Sequence, residues 1–201
     1  MKLYYAPGAC SLAPHIAALE AGLSPEMVKV DLKAKRTESG DDYWAVNPNG
    51  YVPTLVLDDG NKVTEVPAVL QYIADQVPDR KLAPPNGTLE RYRLQSTLNF
   101  ITAELHKSFG AFFNPAAGED WKNAARSLLG RRFAYVDSIL AQGPYAMGEQ
   151  FTVADCYLFT ITRWTKPMGI DLTPWPRLGE YLSRIGSRPA VQEALRAEGL
   201  A

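Results

Sequence analysis

The sequence predicts an α+β chain in two parts: a small mixed sheet with helices packed on it, then an all-helical bundle. Three observations predict it. The first 77 residues carry short apolar segments in the order strand, helix, strand, hairpin, helix. Composition then shifts across Pro78 to Gly87, where Pro84-Pro85-Asn86-Gly87 reads as a linker. Beyond it every long segment repeats its apolar residues at helical spacing. On this reading residues 1–80 form the first domain, 81–86 the linker and 87–201 the helical domain.

Each element has a local cause. Lys2 to Tyr5 is a short strand. Pro14 is tolerated only in the first turn of a helix, so the helix after it begins near Ser11, a good N-cap residue. Leu12, Ile16, Leu19 and Leu23 then recur at helical spacing, and Gly22 marks the end. Met27 to Leu32 alternates as a second strand, and the polar run Lys33 to Gly40 reads as a loop or irregular helix. Asn47-Pro48-Asn49-Gly50 is a turn signal. Tyr51 to Leu57 is a strand entered through proline, turning at Asp59-Gly60 into a short return strand over Asn61 to Thr64. Thr64 or Glu65 opens a helix with Pro67 in its first turn and Val66, Val69, Leu70, Ile73 and Val77 on its apolar face.

In the second part Leu94, Leu98, Ile101, Leu105 and Phe109 form one helical stripe, and Trp121 to Leu140 carries another. Thr152 to Trp164 is apolar nearly all round, the mark of a buried helix. Thr152 with Asp155 fits a capping box that uses Asp where Glu or Gln is usual, with Phe151 and Cys156 at the staple positions. Shorter helices are expected over Trp175 to Ile185 and from Pro189 onward. No internal repeat stands out.

The chain has 201 residues, 46% of them hydrophobic, and a formal net charge of −1, which permits a sizeable core. Near-neutral charge gives no electrostatic case for nucleic acid or an anionic membrane. The N-terminal residues lack a signal-peptide pattern, and the apolar run near Val153 to Ile161 is too short to span a bilayer, so a cytoplasmic location is expected. Two cysteines, Cys10 and Cys156, are expected to stay reduced, and their spacing excludes a CxxC motif. With two histidines and no ligand spacing, no metal site is expected.

Five constellations carry candidate chemistry. Cys10 sits where a strand gives way to a helix; unpaired N–H groups and the helix dipole there are expected to favour thiolate. The plain alternative is a buried inert cysteine. Val52-Pro53 is either an edge-strand boundary or a cis peptide that turns the Val52 backbone outward to pair with an extended peptide. Thr64-Glu65-Val66 is either simple capping or a pair of groups for a ligand ammonium and carboxylate. Gln95, Asn99, Ala103 and His106 form a polar-to-small stripe that reads as a cleft wall, or else ends in a structural histidine. Asp155 reads as an anchor for backbone N–H groups and not as an acid catalyst.

In this order and spacing, Tyr5-Ala6-Pro7-Gly8-Ala9-Cys10-Ser11, Asn47 to Gly50 with Tyr51-Val52-Pro53, Thr64-Glu65, Asn99 to His106 and Phe151 to Asp155 resemble the bacterial beta class of cytosolic glutathione transferases. The resemblance covers essentially the whole chain. It implies a thioredoxin-like N-terminal domain, an all-helical C-terminal domain and a homodimer with a glutathione site at each domain interface. It implies that Cys10 and His106 lie near the glutathione sulfur, with Cys10 able to form a mixed disulfide. Ala9, Lys35, Val52, Pro53, Glu65, Val66, Asn99, Ala103 and Glu104 complete the implied glutathione-binding set. Val52 acts there through its backbone with Pro53 cis, and Glu104 reaches toward the neighbouring subunit. Val66 and Ala103 bring no side-chain hydrogen bond.

The expected activity is conjugation of the glutathione thiolate to a small hydrophobic electrophile, with glutathione as co-substrate and no metal. A glutathione-dependent thiol–disulfide reductase or dehalogenase using Cys10 is the rival enzyme. A non-catalytic module for a ligand or partner is the rival of a different kind. Phe109, Phe112, Phe113 and Trp164 supply apolar surface for an electrophile or simply core.

Overall fold

The computed structural model describes all 201 residues, Met1–Ala201. In chain order its elements are β1 (Lys2–Tyr5), α1 (Leu12–Ala21), β2 (Glu26–Asp31), β3 (Arg36–Thr37), β4 (Thr54–Val56), β5 (Lys62–Thr64) and α2 (Val66–Asp75). The helical part has α3 (Leu89–Phe100), α4 (Gly110–Phe113), α5 (Glu119–Ile139), α6 (Val153–Thr162), α7 (Pro176–Gly186) and α8 (Pro189–Ala197). The chain forms two compact units, one of Met1–Ala83 with Arg188–Ala201 and one of Pro84–Ser187.

The first unit holds a five-stranded sheet in the order β3-β2-β1-β4-β5. β1 and β2 are parallel, with α1 as their crossover, and the other neighbours are antiparallel. Because side chains alternate along a strand, the two faces of the sheet have separate cores. Leu3 and Leu55 are fully buried, as are Leu12, Ile16, Leu70 and Ile73 of the helices. Tyr4 instead joins a second cluster with Ala6, Val30, Tyr43 and Val52.

The strand entered through proline is shorter than the pattern predicts. Of Tyr51 to Leu57 only Thr54–Val56 joins the ladder, because the carbonyls of residues 50 to 52 are taken by side chains. The polar run after β2 contains β3, and a 3₁₀ turn at Tyr43–Ala45 follows it, capped by Asp42 through the Trp44 N–H; neither was expected. The Asp59-Gly60 hairpin forms as predicted.

The division into units differs from the expected one at the C-terminus. α8 belongs with the first unit, where it packs on α1. The reason is that α1 is apolar on nearly every side and α2 covers only part of it. Arg188 forms a two-point ion pair with Glu20 at 2.6 and 2.8 Å at the start of α8.

In the second unit the predicted stripe Leu94, Leu98, Ile101, Leu105 and Phe109 is buried throughout. Its backbone is not uniform: α3 gives way to a π-helix at Ile101–His106 and a 3₁₀ turn at Lys107–Phe109. Every residue of α6 is buried, and the Thr152/Asp155 capping box is present.

Candidate functional site

Cys10 lies two residues before α1 and is partly exposed. Ser11 is the N-cap by position, but its hydroxyl does not cap the helix. It accepts the Ala6 N–H at 3.1 Å and donates to the Ala6 carbonyl, tightening the turn that carries Cys10. The expectation that Cys10 favours thiolate is overturned. Burial of the sulfur pushes the thiol up to about 12; the Cys10 and Ser11 backbone N–H groups pull the other way and the Glu65 carboxylate adds to the rise. The helix end is real, but desolvation of an anion outweighs it. The thiol keeps its proton and points it at the Val52 carbonyl, 3.2 Å away.

The Val52–Pro53 peptide is cis. Three consecutive carbonyls beside it are each held by a side chain. Lys35 Nζ donates to Gly50 O at 2.7 Å, the Tyr43 hydroxyl and Asn47 Nδ2 donate to Tyr51 O at 2.7 and 2.9 Å, and Cys10 donates to Val52 O. No acceptor in the chain takes the Val52 N–H.

The Lys35 ammonium lies 5.6 Å from the centres of both the Trp44 and Tyr51 rings, and no carboxylate pairs with it. Gly50 is required here: at φ +64° a Cβ would sit 2.7 Å from the Trp44 ring. Glu65 is exposed and is the N-cap of α2 with φ +67°; its side chain makes no cap bond. Val66, at the first helical position, is buried. Ala9 is half-buried and its carbonyl accepts the Leu12 N–H. The structure therefore brings together Cys10, Val52 and Glu65, the last close enough to act on the thiol electrostatically.

In the second unit Asn99 and Ala103 are exposed, while Glu104 and His106 are half-buried. The stripe read at α-helical spacing runs through the π-helix, which rotates the residues after Ile101 relative to Asn99. Glu104 is ion-paired with Arg132 of its own chain. His106 Nδ1 is 2.7 Å from the Tyr157 hydroxyl, and its ring meets Trp164 edge-on at 5.0 Å. Burial, with a smaller push from Lys107, lowers its pKa to about 4, so the ring is neutral at neutral pH. Trp164 also packs against Phe109 and Phe113, at 5.5 and 4.9 Å, and Phe113 is half exposed, so these aromatics form core with one open edge.

Four residues that support these groups carry no local signal in the sequence. Tyr43, Tyr157 and Arg132 look like ordinary amphipathic positions, and the Glu198 side chain bonds to Gly8 and His15, 190 and 183 positions away. No cluster of three or more His, Cys, Asp or Glu side chains has the arrangement of a metal site.

The glutathione S-transferase N-terminal domain model matches residues 1–75, and the corresponding C-terminal domain model matches residues 119–184. The chain is 46% identical over 200 residues, with full coverage of both chains, to Glutathione S-transferase GstA of Escherichia coli O157:H7. It is similar to the structure of a sphingomonad glutathione S-transferase complexed with glutathione, at 50% identity, TM-score 0.96 and full coverage of both chains. It is equally similar to the beta-class enzyme of Sphingomonas chungbukensis, at 49% identity and TM-score 0.97, again over the full length of both.

Proposed function

This chain belongs to the glutathione S-transferase family, close to its beta class, and from that premise we propose how its residues divide the work. It is a glutathione transferase with a thioredoxin-like N-terminal domain and an all-helical C-terminal one. Glutathione is an extended tripeptide with two carboxylates, one ammonium and one thiol. Its cysteinyl backbone pairs with Val52, beside Pro53, as one strand pairs with another. Lys35, whose ammonium still has N–H donors to spare, takes the glycyl carboxylate. Glu65 takes the γ-glutamyl ammonium, and the Val66 N–H at the start of α2 takes its carboxylate. Ala9 packs beside the sulfur. Asn99, Ala103 and Glu104 complete the binding set.

The chemistry needs a glutathione thiolate. Its proton leaves to solvent, the sulfur attacks the electrophile, and a thioether forms as the leaving group departs with the bonding pair. His106 stabilises the sulfur anion from a neutral ring, whose proton sits on Nε2 in the tautomer where the Tyr157 hydroxyl donates to Nδ1. Cys10 stays a protonated thiol whose single S–H is given to the Val52 carbonyl, and it shapes the site beside the sulfur. The single observation that carries this reading is that Cys10 is held as a donor beside the Val52 backbone. Thiol–disulfide exchange led by Cys10 asks for a protein thiolate that this environment disfavours.

The protein acts as a homodimer in the cytoplasm, without a metal, on a small hydrophobic electrophile. The test compares Cys10→Ser and Cys10→Ala for conjugation of an aryl halide and for retention on immobilised glutathione. Serine keeps a donor at Val52 and is expected to retain most of the turnover; alanine is expected to retain less. Loss of conjugation in both, with glutathione still bound, would make Cys10 the nucleophile and overturn this division.

A further inference from the structure

The carbonyl of Tyr51 is held by two buried side chains and belongs to no strand ladder. Tyr43 and Thr54 are fully buried and Asn47 is 5% exposed. The Tyr43 hydroxyl gives its hydrogen to Tyr51 O at 2.7 Å. It therefore accepts from Thr54 Oγ1, 2.8 Å away, and that oxygen accepts one Asn47 N–H at 3.1 Å. The other Asn47 N–H goes to Tyr51 O at 2.9 Å, and Asn47 Oδ1 accepts the Asn49 N–H at 3.0 Å. Every polar atom of the ring has a partner, and a satisfied buried network specifies one arrangement of its members.

A peptide unit is planar, and in its trans form C=O and N–H point in opposite directions. The Tyr51 carbonyl and the Val52 N–H belong to one such unit. Drawing the carbonyl into the buried ring turns the N–H away from it, and that N–H has no acceptor in the chain. We propose that Tyr43 and Asn47 are positioning residues: by holding the Tyr51 carbonyl they aim the Val52 N–H at the cysteinyl carbonyl of bound glutathione. The inference rests on the reading that the Val52 backbone pairs with the tripeptide. Lys35 on Gly50 O and Cys10 on Val52 O steady the flanking units, so the N–H stands in a segment fixed on both sides.

The experiment uses the full-length protein and two ligands in calorimetric titrations. One is S-hexylglutathione. The other is its analogue with the cysteinyl–glycine amide replaced by an (E)-alkene, which lacks the carbonyl that accepts the Val52 N–H. The native protein is expected to bind the alkene about tenfold more weakly. Tyr43→Phe is expected to bind the parent about fivefold more weakly and the alkene within about twofold of native, so that discrimination nearly disappears. With glutathione as substrate its KM rises by the same factor while kcat stays within about twofold. If the native protein does not discriminate, the pairing of Val52 with glutathione is wrong. If the native protein discriminates and Tyr43→Phe discriminates equally, Val52 pairing stands and the positioning role is overturned. Should Tyr43→Phe lose its far-ultraviolet circular dichroism, Asn47→Ser, which leaves the tyrosine bond in place, reads the same ratio, and undiminished discrimination there overturns the proposal.

Discussion

The Glu198 side chain reaches back 190 positions to hold Gly8: its Oε2 accepts the Gly8 N–H at 2.9 Å. The other oxygen lies 2.8 Å from Nδ1 of His15, and the carboxylate has no solvent exposure. Leu200 closes over the same glycine, whose φ of +71° no β-carbon shares comfortably. The C-terminal tail therefore holds the turn that carries Cys10.

Glu198→Ala strips the acceptor from the buried His15 ring and the half-buried Gly8 N–H and is expected to lower unfolding free energy by about 3 kcal/mol. Glu198→Gln keeps one oxygen and is expected to cost roughly half as much. Urea unfolding of both variants checks the order. Equal stability of Glu198→Ala and the native protein would show that the tail does not support the turn.

Cys10 should alkylate slowly, and its rate should keep rising with pH. Because the thiolate reacts and the thiol titrates near 12, the iodoacetamide rate is expected to climb about tenfold per pH unit from 7 to 10 without levelling. An ordinary thiol would flatten near 9. Intact mass against time at each pH gives the curve, since buried Cys156 stays unmodified in the folded protein.

His106 should titrate near 4 in a proton NMR pH series. Its folded pKa lies below the ordinary value of 6.5, so the unfolded chain binds the extra proton between about pH 6.5 and 4. This group's contribution to stability is present above pH 6.5 and is lost as pH falls toward 4. His106→Ala is expected to lower kcat/KM by roughly tenfold with the fold intact, and His106→Gln, which keeps an N–H donor, by less. An unchanged kcat/KM in His106→Ala would leave the ring a structural residue.

Asp155 runs the other way. Burial raises its carboxyl to about 6, although the Ala146 and Thr152 N–H groups and the Tyr181 and Thr152 hydroxyls pull it down. Between about pH 4 and 6 the folded protein holds a proton that the unfolded chain has released, so this group's contribution weakens as pH rises through that window. Asp155→Ala leaves the buried Ala146 and Thr152 N–H groups without their acceptor and the Tyr181 hydroxyl with only the backbone carbonyl of residue 155. It is expected to cost about 4 kcal/mol, read by urea unfolding.

Gly50→Ala places a Cβ against the Trp44 ring in a left-handed backbone conformation. We expect about 2 kcal/mol of destabilisation and a raised KM for glutathione, because Trp44 lies against the Lys35 ammonium. A variant with native stability and native KM would separate Trp44 from Lys35.

Local rules made most elements legible. Pro14 and Gly22 bounded α1, Asp59-Gly60 turned the hairpin, and Thr152 with Asp155 started α6, each through chemistry contained within a few residues. Cys10, Val52, Glu65 and His106 stand out through short motifs of the same kind, whereas Ala9, Lys35 and Glu104 enter only through the family resemblance. What local rules missed shares one property: the bonding partner lies outside the cap, turn or helix face to which the side chain belongs by pattern. The hydroxyl of Ser11 looked like a cap and bonds to Ala6; Asn47 looked like a turn residue and completes a buried ring with Tyr43 and Thr54. The apolar face of α8 gave no hint that it would be buried on α1.

The order of strands and helices, the change to an all-helical part, and Cys10 as a thiol at a strand-to-helix junction all follow from local patterns in the chain. Periodicity, proline and capping chemistry act within a turn or two, and those distances a sequence displays. The charge on Cys10 follows from folding instead. Ionisation depends on how much water surrounds the sulfur and which groups face it, and here burial of the sulfur, with the Glu65 carboxylate, outweighs the N–H groups at the helix end. The same holds for the Val52 N–H, whose direction is set by Tyr43 and Asn47 through the Tyr51 carbonyl.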